Sequence, residues 1–461
     1  MSASDVQRRP LAEEKLSAGT KIAYAIGDLG NSVGPGTVIP FWYLYFLTDV
    51  AKLDPALAGL ALLIGKIWDA VNDPLVGMLS DRTRTRWGRR RPYLLFGAIP
   101  YGVTFALLWI VPPIQNQLLL CFYFAFMYIL FDTAFTIVGC PYAALTPELT
   151  LDHDERTSLT TYRMFVSIAG GLLSALVLGL FVFPAFPDQR TAFKVIGLLC
   201  GLIFIPPVFI AFFGTRERAE FQAGEAIGLA ESLRFLLRNR EWLYTVVISL
   251  LSWMPVDIAS AVFAYFLIYW TGMGEDEASL VQAAILVSAT LFLPLVLWMG
   301  RRLEKKTAYI ISTASWVIFM LVILLVPPGA KLPTYIIAFG VGLGVSSAHV
   351  LPNAMSPDVI EVDELMSGQR QEGIYAGVSV FVRKLSTGLV LAAIGPVLAW
   401  SGYVENASQQ TPQALTAIRV LISVVPALIL LASVWVAWRY PLTRERHAEI
   451  QAELRRRRAI A

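Results

Sequence analysis

The chain has 461 residues, 56% of them hydrophobic and only 15% charged, and its 37 Lys and Arg against 34 Asp and Glu leave a net charge of +3. Soluble domains carry roughly 25% charge, so a water-soluble enzyme is excluded, and a charge this balanced excludes a nucleic-acid binder. The three cysteines, Cys121, Cys140 and Cys200, lie in apolar runs without a CxxC pair, and the three histidines, His153, His349 and His447, are too scattered to suggest a metal site.

Residues 1–21 form a polar tail with no signal-peptide cleavage pattern, and the chain is expected to insert uncleaved with this tail in the cytoplasm. Apolar runs of about 20 residues cross the hydrocarbon core. They predict six helices at 22–48, 57–80, 92–112, 117–147, 160–184 and 193–214. Six more are predicted at 242–271, 279–299, 307–327, 333–356, 373–400 and 413–438. The expected fold is an all-α polytopic membrane protein, one six-helix bundle over 22–214 and another over 242–438. Between them, residues 215–241 carry Leu229, Leu233, Leu236 and Leu237 at helical spacing and predict a linker with an amphipathic helix on the cytoplasmic face. Residues 439–461 read as a basic cytoplasmic tail. The tails and the connectors after helices 2, 4, 6, 8 and 10 hold 28 of the 37 basic residues, which places both termini in the cytoplasm.

The two bundles echo one another: "GCPYAALTPELTLDHDE" after helix 4 has the layout of "VLPNAMSPDVIEVDE" after helix 10. Repeated six-helix halves with a site between them near the midplane are a transporter architecture. A metal-dependent or ATP-driven machine is disfavoured by the absence of ligand clusters and of a P-loop lysine motif.

Ionisable residues inside spans cost several kcal/mol and each needs a reason. On helix 1, Asp28 sits among the glycines of "YAIGDLGNSVGPG", where the helix can pack closely or unwind beside a site. On helix 2, Lys66, Asp69 and Asp73 share one face, with Asn72 adjoining. Two carboxylates against one ammonium can hold Na⁺ or a proton. Asp81, Arg82, Gly88, Arg89 and Arg90 in the turn "SDRTRTRWGRRRP" predict a latch at the cytoplasmic side, with the acidic connectors at 152–155 and 361–364 supplying partners from the other half.

On helix 4, Asp132 and Thr136 share a face and can add oxygens. Arg163 on helix 5 and the Arg383-Lys384 pair on helix 11 can bind a polar or anionic group, but adjacent helical residues point about 100° apart and cannot both face one cavity centre. Asp257 on helix 7 follows Pro255, where freed backbone groups can line a cavity. Trp68 and Trp253 are candidates to stack on a ligand, and Arg419 reads as interfacial.

"GMLSDRTRTRWGRRR" resembles the turn between helices 2 and 3 of the major facilitator superfamily. "KIWDAVNDPLVG", "YAIGD", "CPYAALTPELT", "TYRMF" and "EGIYAGVSVFVRK" together resemble the glycoside–pentoside–hexuronide:cation symporters of that superfamily, over about residues 20–438. The resemblance implies cation ligation by Asp69 and Asp73, with Thr136 at a cation-site position, and substrate binding by Asp28, Arg163 and Lys384. The residues themselves add Asn72 to the expected cation site and Asp132 and Asp257 to the expected substrate site. It departs where the sugar-transporting members carry a helix-4 aspartate and tryptophan and a helix-1 lysine, replaced here by Gly139, Ala143 and Gly27. The sodium-dependent lysophosphatidylcholine symporters are another branch lacking that aspartate. The expected function is secondary active symport of a sugar or glycoside with H⁺ or Na⁺ across the cytoplasmic membrane; a lysolipid or other amphiphile, or uncoupled facilitation, is the alternative. No cofactor beyond the coupling ion, no nucleic acid and no obligate protein partner is implied; the partners are a small-molecule substrate and the bilayer.

Overall fold

In a computed structural model the chain is almost wholly helical; residues 15–150, 153–217, 239–367, 372–405, 407, 409–442 and 444–460 are described. Helix α1 is wound in pieces, Ala18–Ile26 and Leu29–Val33, followed by the wider π winding over Gly34–Tyr43 and Phe46–Val50. Next come α2 (Pro55–Arg82), α3 (Arg91–Leu108), α4 (Gln117–Leu149), α5 (His153–Val177, continued by Leu178–Val182 and Phe183–Ala185) and α6 (Gln189–Gly214). The second half opens with α7 (Arg240–Tyr265 and Phe266–Trp270), α8 (Glu275–Arg302) and α9 (Lys305–Val322 and Ile323–Leu325). It closes with α10 (Lys331–Ser367), α11 (Glu372–Trp400) and α12 (Pro412–Arg419, Val420–Val424 and Val425–Trp438).

Among the described residues nine helices are long and apolar enough to cross a membrane, from α4 to α12. The first three fall short because α1 is broken and because polar and ionisable residues dilute α2 and α3. Large apolar side chains such as Phe96, Phe165, Phe213, Leu325, Ile336 and Trp400 stay exposed around the outside. In water they would drive aggregation; in a bilayer, lipid covers them.

Short polar side chains set the helix starts. Asp54 accepts from the amides of Ala56 and Leu57 at 2.9 and 3.2 Å, with Pro55 at the first helical position of α2. Asn116, Asp188, Asn239 and Thr411 cap α4, α6, α7 and α12 in the same way. The hydroxyl and amide of Thr191, both donating to Asp188, hold that carboxyl below the ordinary aspartate range.

The halves meet along α2 and α11 and at the end of the molecule where α1 finishes. A Cβ on Gly395 would lie 2.1 Å from the Pro55 carbonyl oxygen, so the crossing of α11 over α2 needs a glycine there. At that end, Trp42 donates to Gln282 at 3.2 Å and Tyr45 to Glu275 at 3.1 Å, while the hydroxyls of Thr48 and Tyr265 lie 2.7 Å apart. We call this the far end. The opposite, basic end carries the turns after α2 and α8.

Three differences from the sequence reading stand out. Helix α10 runs on to Ser367, past its expected end at 356, because a proline step costs one hydrogen bond without ending a helix that neighbours support. The expected basic tail contains a helix, α13 (Arg444–Ile460), whose Ile450 and Leu454 are buried against Tyr309, Leu351 and Met355. Helix α1 is segmented rather than one continuous run. The amphipathic helix expected in the linker falls at 218–238, outside the described residues.

Candidate functional site

The face of α2 that carries Lys66, Asp69 and Asp73 meets α11 in mid-span. The Lys384 ammonium donates to Asp69 Oδ1 and to Asp73 Oδ2, and Lys66 donates to Asp69 Oδ2 at 3.1 Å. From α4, Thr136 donates its hydroxyl to Asp73 Oδ1 at 3.0 Å. Asn72 points the same way and reaches the Asp132 carbonyl oxygen at 3.5 Å. The Lys66 ammonium also lies 5.7 Å from the ring centroid of Tyr128, which can approach because residue 65 is glycine; a Cβ there would strike the ring at 2.2 Å.

Asp132 is 2% exposed, faces Asp69, Lys66 and Lys384, and leaves its Oδ2 without a hydrogen-bond partner among the described residues. The cluster therefore sets three carboxylates against two ammoniums. Buried charge is tolerated when it is paired, so this cluster has room for one more positive charge. Among the described residues, no three His, Cys, Asp or Glu side chains converge on a metal position. A monovalent ion at Asp69 and Asp73 would have the Thr136 hydroxyl as a neutral oxygen beside it.

A second charged group stands on the opposite wall. Arg383 grips Asp257 with both guanidinium nitrogens, at 2.8 and 3.3 Å, and Thr387 donates to the same carboxylate at 2.8 Å. The guanidinium lies 4.2 Å from the Trp253 ring, whose other neighbour is the His349 ring at 4.2 Å between centroids. Adjacent residues of α11 thus hold carboxylates from different halves, and both line one cavity, although the 100° step between them had argued against both facing its centre.

Lys66, Asp69, Asp132 and Lys384 of the first group and Asp257, Arg383 and Thr387 of the second line one cavity of about 510 Å³, whereas Asp73, Thr136 and Asn72 are not in its lining; the volume is within the range of small-molecule sites. The wall differs by depth. At the level of Asp69, Asp132, Asp257, Arg383 and Lys384 it is charged. Toward the far end it is formed mainly by Ile39, Phe41 and Leu44 of α1 and by Phe263, Phe266, Val281, Ile285, Met320, Ile323, Ile337 and Val341, with Tyr43, Ser260 and Thr334 as polar exceptions. From Asp257 to Phe266, at 1.5 Å per residue, this chamber is about 14 Å deep.

The predicted residues divide accordingly. Asp69, Asp73, Thr136, Lys384 and Asp132 come together, with Asn72 behind them; Asp257 joins the same cavity from the other wall. Lys384, expected at the substrate, instead bridges the two carboxylates expected to hold the cation. Asp28 is buried beside Asn31 (3.3 Å), Arg163 and Ser167 at the break in α1, and neither Asp28 nor Arg163 lines the cavity. Trp68 donates to Thr133 at 2.9 Å and stands outside the lining, whereas Trp253 is in it. Arg419 caps the Leu324 carbonyl and stacks on Trp270. The pairing of Arg383 with Asp257 was not foreseen, nor the role of Tyr128.

At the basic end the predicted latch is present within the first half. Arg90, 7% exposed, donates to Ser80, Asp81 and Glu148, and Arg89 pairs with Glu148 at 2.6 Å. Glu217 accepts from the amides of Arg89, Arg90 and Arg91 at 2.6, 2.8 and 2.8 Å, placing a carboxylate on the N-terminus of α3. Gly88 takes φ +106° directly beneath that carboxylate. Arg82 stays exposed, outside this network. Of the acidic connectors, Glu155 pairs with Lys21 of its own half at 2.9 Å, where a partner from the other half was expected; Asp358, just ahead of the second connector, likewise pairs within its half, with Lys305 at 2.6 Å. Residue 152 lies outside the described residues, as do the side chains of 154, 363 and 364.

Comparison with known proteins agrees with this architecture. The family described as MFS/sugar transport protein matches residues 23–444. The sodium-dependent lysophosphatidylcholine symporter 1-A of Danio rerio is 29% identical over 94% of this chain and 87% of its own length. The putative glycoside/cation symporter YagG of Escherichia coli is also 29% identical, over 96% of both chains. Among solved structures, the xylose transporter XylE from E. coli superposes with a TM-score of 0.65 at 12% identity, covering 93% of this chain and 98% of that one, a likeness of fold. With helices α1 to α12 in two halves around a charged central cavity, the chain belongs to the MFS/sugar transport family and is a multi-pass, cation-coupled symporter of the major facilitator superfamily.

Proposed function

We propose that this symporter carries an amphiphile, an ionised head on a single apolar chain of the lysophospholipid kind, together with Na⁺ or H⁺ across the cytoplasmic membrane, with both termini inside. The observation that carries this reading is the two-part cavity. A charged belt at mid-span suits a polar head, and the chamber above it, lined from Phe263 to Val341 almost wholly by hydrocarbon, suits a chain. A sugar presents hydroxyls on every side and would leave them unpaired in such a chamber. The chain's likeness to a lysophosphatidylcholine symporter supports the same reading.

In this state the far end is closed and the Lys384 ammonium stands between Asp69 and Asp73, where the coupling cation would stand. The mechanism follows from that position. With the far end open, Na⁺ or a proton joins Lys66 in balancing the Asp69 and Asp73 carboxylates and Lys384 swings free. After release to the cytoplasm Lys384 returns, Asp69 and Asp73 are paired again, and the empty carrier can reset with neither of them left bare.

A second reading, symport of a glycoside, pentoside or hexuronide, rests on the likeness to the glycoside/cation symporter. Uptake by reconstituted protein tests both. A lysophospholipid series of rising chain length and a panel of glycosides are each offered with and without a Na⁺ gradient, at several pH values. Gradient-dependent uptake that grows with chain length supports the amphiphile; uptake confined to glycosides replaces it with the sugar. In either case Asp73→Asn is expected to abolish accumulation in a folded, inserted protein, and accumulation by that variant would overturn the cation site.

A further inference from the structure

Resting on the amphiphile reading, we infer that Arg383 is the anion-recognition residue of the cavity. It binds a two-oxygen anion, a phosphate or carboxylate on the substrate's head, in exchange for Asp257, which holds its place when the cavity is empty.

Four observations lead here. Both partners face an open cavity rather than packed helix, and an ion pair in a nonpolar setting is often replaceable by apolar side chains without loss of stability. The geometry is that of anion recognition, since the guanidinium offers two parallel N–H groups at 2.8 and 3.3 Å to two oxygens of one carboxylate. The fork is also held by contacts other than Asp257, by the Trp253 face at 4.2 Å and by the Thr387 hydroxyl at 3.3 Å, the latter itself donating to Asp257. An anion replacing the carboxylate would therefore meet a preorganised donor pair. Lastly, the position is right: Arg383 and Asp257 stand in the charged belt, at the mouth of the apolar chamber that would take the chain. Lys384 cannot fill this role in the empty state, because its ammonium is committed to Asp69 and Asp73 on the other wall.

The exchange makes a prediction that a structural salt bridge does not. Removing Asp257 takes away the internal competitor and should tighten anion binding, whereas removing Arg383 should erase the preference for anionic heads. Binding to the full-length protein in lipid nanodiscs tests this by competition with a fluorescent lysophosphatidylcholine. Three ligands of matched chain are compared: lysophosphatidylcholine, the free fatty acid and the neutral monoacylglycerol. Wild type is expected to favour the phosphate or carboxylate head over monoacylglycerol by about tenfold, the relative size of the two anions telling which is the better fit. Arg383→Gln should bring the three affinities together while leaving monoacylglycerol binding unchanged, and Arg383→Lys should restore part of the preference. Asp257→Asn should raise affinity for the anionic ligands alone.

Wild type that binds all three ligands equally overturns the inference and leaves the amphiphile reading intact; wild type that binds none overturns both. Equal weakening of all three by Arg383→Gln marks a structural pair and overturns it, as does weakening of anion binding by Asp257→Asn. Should Asp257→Asn fail to fold with its guanidinium uncompensated, the double variant Asp257→Asn/Arg383→Gln carries no charge and must show the same loss of head preference.

Discussion

Asp49 at the end of α1 and Tyr403 beyond α11 are joined across 354 residues of sequence, the tyrosine hydroxyl lying 2.7 and 2.8 Å from the two carboxylate oxygens. Tyr269 of α7 donates to the same carboxylate, and Thr48 donates to it at 2.6 Å while meeting Tyr265 at 2.7 Å. This acid, 1% exposed, ties the first half to two segments of the second, and its bonds to Tyr403 and Tyr269, with the Thr48–Tyr265 contact, must break when the far end opens.

Hydrogen bonds to a charged group are worth about 1.5–3 kcal/mol each. Asp49→Asn or Tyr403→Phe should therefore move the population toward the far-end-open state by roughly tenfold or more. Spin labels at Gln115 and Pro328, both in far-end connectors, would report it as a longer distance component. An unchanged distance distribution in both variants would refute the role.

Lys384→Gln leaves Asp69 and Asp73 without the ammonium they share. Apparent Na⁺ affinity should rise by about tenfold, since the internal competitor is gone. Net uptake, which requires the empty carrier to return, should fall while substrate exchange persists. The Na⁺ dependence of the melting midpoint and a counterflow assay read the two effects separately; weaker Na⁺ binding in the variant would contradict the competition.

Val341 projects into the deep chamber from α10. Val341→Phe should occupy part of the space a chain needs. Each methylene denied burial costs about 0.8 kcal/mol, so long-chain ligands should lose roughly tenfold in affinity while short-chain ones are unaffected. Equal loss across the chain-length series would show that the chamber is not where the chain lies.

Gly88 combines φ +106° with a Glu217 carboxylate 2.5 Å from where a Cβ would sit. Gly88→Ala is expected to destabilise by about 1–3 kcal/mol through backbone strain, with the clash in addition. Adding Glu217→Ala should relieve the clash and not the strain, recovering only part of the melting temperature. Full recovery would mean that the conformation itself costs nothing.

The division into spans was legible because hydrocarbon imposes a length and a composition on each helix. The face of α2 was equally legible, since Lys66, Asp69 and Asp73 are local and helical periodicity alone aligns them. What could not be read are relations fixed by packing between distant segments. Arg383 meets Asp257 across 126 residues, and nothing in either local sequence names the other. Lys384 looked like a substrate ligand because its sequence context does not say that α11 crosses α2 at Gly395. Asp49 fell at the predicted end of helix 1 and passed for a connector residue, because the π winding that carries α1 on to Val50 leaves no periodic trace. In α13 a signal was present in Ile450 and Leu454, four residues apart, but the surrounding charge masked it.

The seating of α13 has a practical consequence for watching this transporter work. Its buried residues share one apolar cluster with side chains of α9 and α10, so it packs with the second half as an outrigger. A fluorophore fused after it would swing with that half through each cycle. Paired with a second dye on the loop of Thr85 to Gly88 in the first half, it would turn every turnover into a change in energy transfer, read from single molecules without touching the cavity.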